Sequence, residues 1–182
     1  MLEFKDFRYD KKRVKELYKE AFPKDEQVPY FALKHFARGH VDFNAVYHGA
    51  QFIGFVYNVL YKDIVFLFYF AIKKDVRHQG YGSQILNMMK EKYQGYRILL
   101  NIEDIEEHSS NYLERKQRQA FYIKNGFSLL DYKVKEGGVI YQMLCYDKQH
   151  REVSEEEYLS LLKDYFGSLW FRYVYLKIRE NI

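Results

Sequence analysis

The chain has 182 residues and a formal net charge of +4, and hydrophobic and charged residues make up 48% and 30% of it. These proportions are typical of globular proteins and exclude a disordered or fibrous chain. The longest uninterrupted apolar run, Ile64 to Ile72, is far shorter than the roughly 20 residues that a membrane-spanning helix needs. The lone Cys145 excludes an internal disulfide and, with a charged N-terminus that does not resemble a signal peptide, predicts a cytoplasmic protein.

The first third of the chain is predicted to form two helices and then two strands. Apolar residues first recur at helical spacing, and β-branched and aromatic residues then dominate two short runs. The first helix ends at Pro23, the second runs from Pro29 to Gly39, and the strands are 43–47 and 52–60, with a turn at 48–51.

The middle of the chain contains a strand that is apolar on both faces. Residues 64–72 have no polar position, as expected of a central strand buried on both sides. The elements predicted after it are a polar loop from Lys73 to Ser83, a helix up to Lys92, a strand at 97–102, a helix at 115–125 before Gly126, and strands at 127–134 and 139–146 around Gly137-Gly138.

The tail is predicted to begin with a helix. Ser154-Glu155-Glu156-Glu157 fits a capping box, and the helix continues through Phe166. Residues 169–176 fit a strand or a helix, and they are too apolar for a free tail. We therefore expect a domain at 1–147 and an extension at 148–182 that packs on this domain or on the partner of a homodimer.

The loop behind the apolar strand has the features of an anion site. Unpaired N–H groups at a helix N-terminus attract phosphate, and Gly80 and Gly82 let an anion approach the backbone closely. Lys73, Lys74 and Arg77 add positive charge. The spacing does not fit a Walker loop, which needs Gly-Lys-Ser/Thr, or a dinucleotide fingerprint, whose third glycine would replace Ile85.

Two segments resemble the signatures of one enzyme family. The segment Ala71–Gly82 resembles the pyrophosphate loop of the GNAT superfamily of acyl-CoA-dependent N-acyltransferases, in which an apolar strand precedes Arg/Gln-x-x-Gly-x-Gly/Ala. Phe121-Tyr122 followed by Asn125-Gly126-Phe127 resembles the second signature of that family. The family often has proline, asparagine and alanine where this chain has Lys74, Arg115 and Arg118.

The resemblance implies a fold and a cosubstrate. The fold is α/β, with a GNAT-like mixed, mostly antiparallel central sheet flanked by helices, and with a helical or aromatic C-terminal extension. The cosubstrate is acetyl-CoA. The residues that match the family's cofactor-binding segment are Ala71, Ile72, Lys73, Arg77, His78, Gln79, Gly80, Tyr81, Gly82 and Ser83.

The resemblance also implies a mechanism in which an amine attacks the thioester directly. A backbone N–H near Ile72 would stabilise the oxyanion, and Tyr122 would donate a proton to the leaving thiolate. Glu103 would accept the amine's proton, directly or through a water. Tyr122 also fits a core aromatic position, and Glu103 with its acidic neighbours also fits a solvated loop, whose charge would favour a cationic amine by steering.

These observations lead to one main hypothesis and two alternatives. We expect an N-acetyltransferase that acts on a primary amine of a small molecule or peptide. A non-catalytic acyl-CoA sensor of the same fold is the first alternative. The second, a nucleic-acid-associated protein, is suggested by basic charge and many aromatic residues, but the chain has no long basic run. The histidines show no metal-site spacing, so no metal is expected.

Overall fold

The computed structural model of the protein describes residues 1–24, 27–36, 39–136 and 138–179. Within these ranges, the side chains of residues 35–36, 168–170 and 172–179 are not described. In the described part of the chain, no helix is both long enough and apolar enough to cross a membrane.

The described residues form strands and helices in a mixed order. The strands are β1 (Leu2–Asp6), β2 (Val41–His48), β3 (Gln51–Tyr61), β4 (Ile64–Ile72), β5 (Arg97–Glu103), β6 (Ser128–Glu136) and β7 (Val139–Tyr146). The helices are α1 (Lys11–Ala21), α2 (Tyr30–Phe36), α3 (Tyr81–Lys92), α4 (Tyr112–Lys124) and α5 (Glu155–Arg179).

The strands belong to a seven-stranded sheet in the order β1-β2-β3-β4-β5-β7-β6. The pairs β1–β2, β2–β3, β5–β7 and β6–β7 are antiparallel. This arrangement confirms the predicted α/β class with a mixed, mostly antiparallel sheet and flanking helices.

The structure adds a strand that the sequence analysis missed and resolves an element that it left open. Strand β1 pairs with β2 from Leu2 opposite His48 to Asp6 opposite Asn44; it is short and mostly polar, so its apolar pattern is weak. The apolar tail is helical, because α5 continues to Arg179 across Gly167, whose φ of 73° and ψ of 157° interrupt the helix. The helix predicted up to Gly39 is described to Phe36, and residues 37–38 and Gly137 lie outside the described residues.

The chain divides into two compact units. The first unit contains Met1–Leu60 and Phe66–Gln94, and the second contains Tyr61–Val65 and Gly95–Ile182. The core of the first unit is rich in aromatic side chains that meet edge to face, such as Tyr18 with Tyr69 at 5.0 Å between ring centroids. Such pairs add to the stabilisation that burial of their area provides.

Strand β3 approaches the end of β4 very closely at Gly54. A Cβ atom on Gly54 would lie 2.1 Å from the carbonyl oxygen of Ala71 and 3.1 Å from the Cα atom of Ile72. The register of β3 against β2 shifts at the same place, where Gly54 faces Val46 and Phe52 faces Tyr47. Such a bulge bends a strand locally, and only a glycine leaves room for the Ala71 carbonyl.

The second unit holds the start of α5 against its strands through polar contacts. The Arg97 guanidinium bridges Asp63 and Glu157 at 2.7 and 2.8 Å, and it holds the pKa of both carboxyls below their ordinary values. The predicted capping box is confirmed, since Ser154 Oγ accepts from the Glu157 amide and Glu157 Oε2 accepts from the Ser154 amide. These contacts fix the beginning of the tail helix; the boundary at residue 147 stays a prediction.

We predict that Gly54→Ala strongly destabilises the protein. Because the new methyl group would meet backbone atoms of β4, the strand end must shift, and the free energy of unfolding should fall by about 3 kcal/mol. Urea denaturation measures this change. Gln51→Ala, at an exposed position of the same strand, should change the free energy by less than about 0.5 kcal/mol. Equal stabilities of the two variants would contradict the close approach at Gly54.

Candidate functional site

The link between β4 and α3 is a tight polar loop built on two left-handed residues. A short 3-10 turn at Lys74–Val76 follows the strand, and His78 and Gly80 then adopt φ angles of 62° and 82°. A left-handed backbone costs a non-glycine residue roughly 1 kcal/mol, so His78 is held in a strained conformation. Residues 77–80 are exposed, which puts this loop at the surface of the first unit.

The amides at the start of α3 are suited to bind an anion. Gly80 is the N-cap residue and provides no side-chain cap, and in the described residues no other side chain takes that place. The first intrahelical bond of this turn runs from the Gln84 amide to the Gly80 carbonyl at 3.2 Å. The amides of Tyr81, Gly82 and Ser83 precede that bond, and N–H groups in the first turn of a helix lack intrahelical partners. They carry part of the positive end of the helix dipole.

Three cations near this loop differ in what they contact. Lys73 Nζ pairs with Asp75 at 2.8 Å, and Lys74 Nζ pairs with Glu20 at 3.3 Å. Arg77 has no carboxylate partner among the described residues; its Nε donates to the carbonyl of Ile72 at 3.1 Å. Of the three side chains, Arg77 is therefore the one whose positive charge is most available to an external anion.

The remaining predicted loop residues also lie together in the first unit. Ala71 is buried and Ile72 is half-buried at the end of β4. The Lys73 amide donates to the Ile53 carbonyl at 3.0 Å, so its backbone donor is already used within the protein. The exposed Gln79 side chain reaches the Asp75 carbonyl at 3.5 Å.

Glu103 lies in the second unit, in a cluster of charges at the end of β5. Its two carboxylate oxygens meet Arg115 at 2.9 Å and Arg118 at 3.0 Å, and Asn111 donates to it at 3.2 Å. The side chains of Glu103 and Arg115 are only 12% and 11% exposed. The loop is therefore not a freely solvated acidic segment at Glu103, because two guanidinium groups pair with this carboxylate.

Two other acids of this loop are also paired with cations. Asp104 meets Lys133 at 2.7 Å, and Glu106 meets Arg115 at 3.4 Å. These pairs offset the negative charge of the segment, which weakens the expectation that it steers cationic amines.

Tyr122 is a buried residue of α4 in the second unit. It is 9% exposed, and its ring packs edge to face on Phe121 and Phe127 at centroid distances of 5.1 and 5.6 Å. Burial raises the pKa of the Tyr122 phenol to about 12, and the nearby Arg118 guanidinium opposes this rise. The phenol is therefore protonated at neutral pH, as a proton donor must be.

The structure connects the two predicted catalytic residues through Arg118. This arginine forms an ion pair with Glu103, and its charge acts on Tyr122. Arg115 and Arg118 are departures from the family pattern in the sequence, but their pairing with Glu103 was not predicted from it. Their spacing of three residues on a helix, following an acidic loop, was a usable signal. No cluster of three metal-ligating side chains occurs among the described residues.

Comparison with known proteins gives a consistent result. Residues 40–129 match the family model described as an acetyltransferase (GNAT) domain. No curated protein gives a significant match to the sequence. These matched residues include the β4–α3 loop, Glu103 and Tyr122.

Solved structures with the same fold cover most of the chain. A protein from Bacteroides thetaiotaomicron, described as an acetyltransferase of the GNAT family, has 20% identity and a TM-score of 0.73 over 94% of this chain and 98% of its own. An aminoglycoside 6'-N-acetyltransferase complexed with coenzyme A has 14% identity and a TM-score of 0.64 over 80% and 96%. Spermidine N-acetyltransferase from Vibrio cholerae, in complex with CoA and spermine, has 13% identity and a TM-score of 0.60 over 80% and 94%.

We predict that Glu103→Gln lowers stability because it leaves the largely buried Arg115 with a weaker partner. The free energy of unfolding should fall by about 2 kcal/mol, below the range for deeply buried pairs because Arg115 keeps Glu106 and the Asp104 carbonyl. Urea denaturation measures the loss. The exposed Glu107 provides the matched control Glu107→Gln, which should be nearly neutral. If the two variants have the same stability, the charge cluster does not hold this part of the fold.

Proposed function

Because the chain belongs to the GNAT superfamily of acyltransferases, we propose that it transfers the acetyl group of acetyl-CoA to a primary amine of a small molecule or peptide. The observation that carries this proposal is the uncapped first turn of α3 behind the left-handed Gly80. The solved relatives that contain coenzyme A support the choice of cosubstrate. The same relatives include enzymes named for aminoglycoside and spermidine, both of which carry primary amines.

In this proposal the β4–α3 loop binds the diphosphate of the cosubstrate. The amides of Tyr81, Gly82 and Ser83 donate to its oxygens, and Arg77 supplies a positive charge. His78 and Gln79 line the same exposed loop. The paired side chains of Lys73 and Lys74 contribute less.

The acetyl group is proposed to lie along the end of β4. Ala71 and Ile72 would position the thioester, and a backbone N–H near Ile72 would donate to the oxyanion as the amine attacks. The Arg77–Ile72 hydrogen bond supports this role, because it fixes the strand end that would hold the reacting carbonyl. Gly54 supports it as well, since it allows β3 to brace the same residues.

Tyr122 is proposed to protonate the thiolate that leaves. Its hydroxyl makes no hydrogen bond with the described residues, and the phenol keeps its proton up to about pH 11 because its pKa is raised to about 12. The raised pKa makes the phenol a weaker acid than an ordinary tyrosine, so it acts first as a hydrogen-bond donor to the departing thiolate.

Glu103 remains the proposed acceptor of the amine's proton, acting through water. Ion pairs with Arg115 and Arg118 hold its carboxylate in a fixed position, as a group that orients a relaying water must be held. We also propose a cytoplasmic location, supported by the single cysteine, which is buried.

Thiol release from acetyl-CoA tests the activity. The purified protein should release coenzyme A at a rate that depends on an added primary amine, in a panel of polyamines, aminoglycosides and short peptides, while isothermal titration should detect acetyl-CoA binding. Binding without turnover on any amine would favour the sensor alternative. Absence of binding at millimolar acetyl-CoA would contradict the proposal as a whole.

We predict that Tyr122→Phe lowers kcat about 100-fold and leaves the Kd for acetyl-CoA within about twofold, because the lost hydroxyl acts only in the transition state. Rates at saturating amine and titration calorimetry measure the two quantities. Tyr112→Phe, at the start of the same helix, is the control and should retain wild-type kcat. An unchanged kcat in Tyr122→Phe would assign Tyr122 to the core alone.

The pH profile gives a further prediction. The donor form of Tyr122 is the protonated phenol, which is fully present below its raised pKa of about 12 and is lost only as pH rises through that value. The rate of the wild-type protein should therefore show no decline attributable to this tyrosine below about pH 11. A loss of activity near pH 10 that disappears in Tyr122→Phe would contradict this assignment.

A further inference from the structure

Tyr81 lies between the two glycines of the loop, and its side chain contacts the last residue of β2. The Tyr81 hydroxyl lies 2.9 Å from Nδ1 of His48. The two rings also meet, with centroids 5.7 Å apart and planes at 65°. Both residues belong to the first unit, and they come from distant parts of the sequence.

This contact restrains the backbone between the two glycines of the loop. Gly80 and Gly82 flank Tyr81 and provide no side chains, and glycine leaves the backbone with more freedom than any other residue. Tyr81 is half-buried, whereas residues 77–80 are exposed. Its side chain therefore anchors the start of α3 at a point where the neighbouring glycines cannot.

The other partner of the contact is rigidly placed. His48 is the last residue of β2, where it faces Leu2 of β1 and Gln51 of β3 in the sheet. A strand paired on both sides holds its backbone more firmly than a loop does. A hydrogen bond from this strand to Tyr81 thus ties the start of α3 to the sheet.

We propose that His48 and Tyr81 form a clamp that positions the first-turn amides of α3 for the diphosphate of the cosubstrate, an inference that rests on the proposed function. His48 is a positioning residue in this account, since it acts through Tyr81 and needs no contact with the ligand. Amides that are already oriented bind an anion without the cost of ordering them.

The clamp predicts a specific pattern of affinities. His48→Ala and Tyr81→Phe should each raise the Kd and KM for acetyl-CoA about fivefold, the effect expected for one neutral hydrogen bond. The kcat at saturating acetyl-CoA should stay within twofold, because the reacting groups are untouched. The double variant should bind no worse than either single variant, since both remove one interaction.

Two further variants separate a clamp from general damage. His48→Asn can place a nitrogen or oxygen near the position of Nδ1, so it should recover most of the lost affinity. His40→Ala removes another histidine of the first unit, whose side chain is exposed, and it should bind like the wild type.

The outcomes distinguish the clamp from a direct contact and from a failure of the proposed function. If His48→Ala weakens binding while Tyr81→Phe does not, or if the two effects add, His48 does not act through Tyr81 and the clamp is overturned. Amide hydrogen exchange in the protein without ligand gives an independent readout: the Gln84 amide, which bonds to the Gly80 carbonyl in this turn, should exchange faster in both single variants. Unchanged exchange would overturn the clamp even if acetyl-CoA binds.

A wild type that binds no acetyl-CoA would overturn the proposed function, while the exchange result would still decide whether the clamp orders this turn.

Discussion

The candidate site depends on one physical constraint: a helix begins directly behind a glycine that offers its first amides no side-chain cap. Gly80 takes a left-handed conformation and starts α3 without the serine, threonine or aspartate that normally satisfies these donors. Donors that the protein does not satisfy are available to an anion. The neighbouring Arg77, which has no carboxylate partner in the described residues, reinforces the preference for negative charge.

The rest of the first unit supports this turn from the sheet. Gly54 lets β3 lie against the Ala71 carbonyl, the Lys73 amide bonds to β3, and Arg77 closes back on Ile72. Each contact limits movement of the backbone where β4 ends and the loop begins. In the second unit, Arg118 pairs with Glu103 and acts on Tyr122, so the two proposed catalytic side chains share one charged neighbour.

The loop could be predicted from the sequence because its chemistry is local: an apolar strand, Arg77, Gly80 and Gly82 stand close together in the chain. The fold class followed from the alternation of elements, and the capping box at Ser154 from a spacing of three residues. The ion pairs of Glu103 could not be derived in the same way, since they depend on how α4 packs beside β5. The His48–Tyr81 contact joins residues 33 apart and leaves no trace in any local pattern, and the mostly polar β1 becomes a strand only through its pairing with β2.

A crystal structure of the protein with acetyl-CoA tests the central claim most directly. Diphosphate oxygens should lie within about 3 Å of the amide nitrogens of residues 81–83, because this is the ordinary length of such hydrogen bonds. A complex in which these amides bind only water, with the diphosphate held elsewhere on the protein, would contradict it.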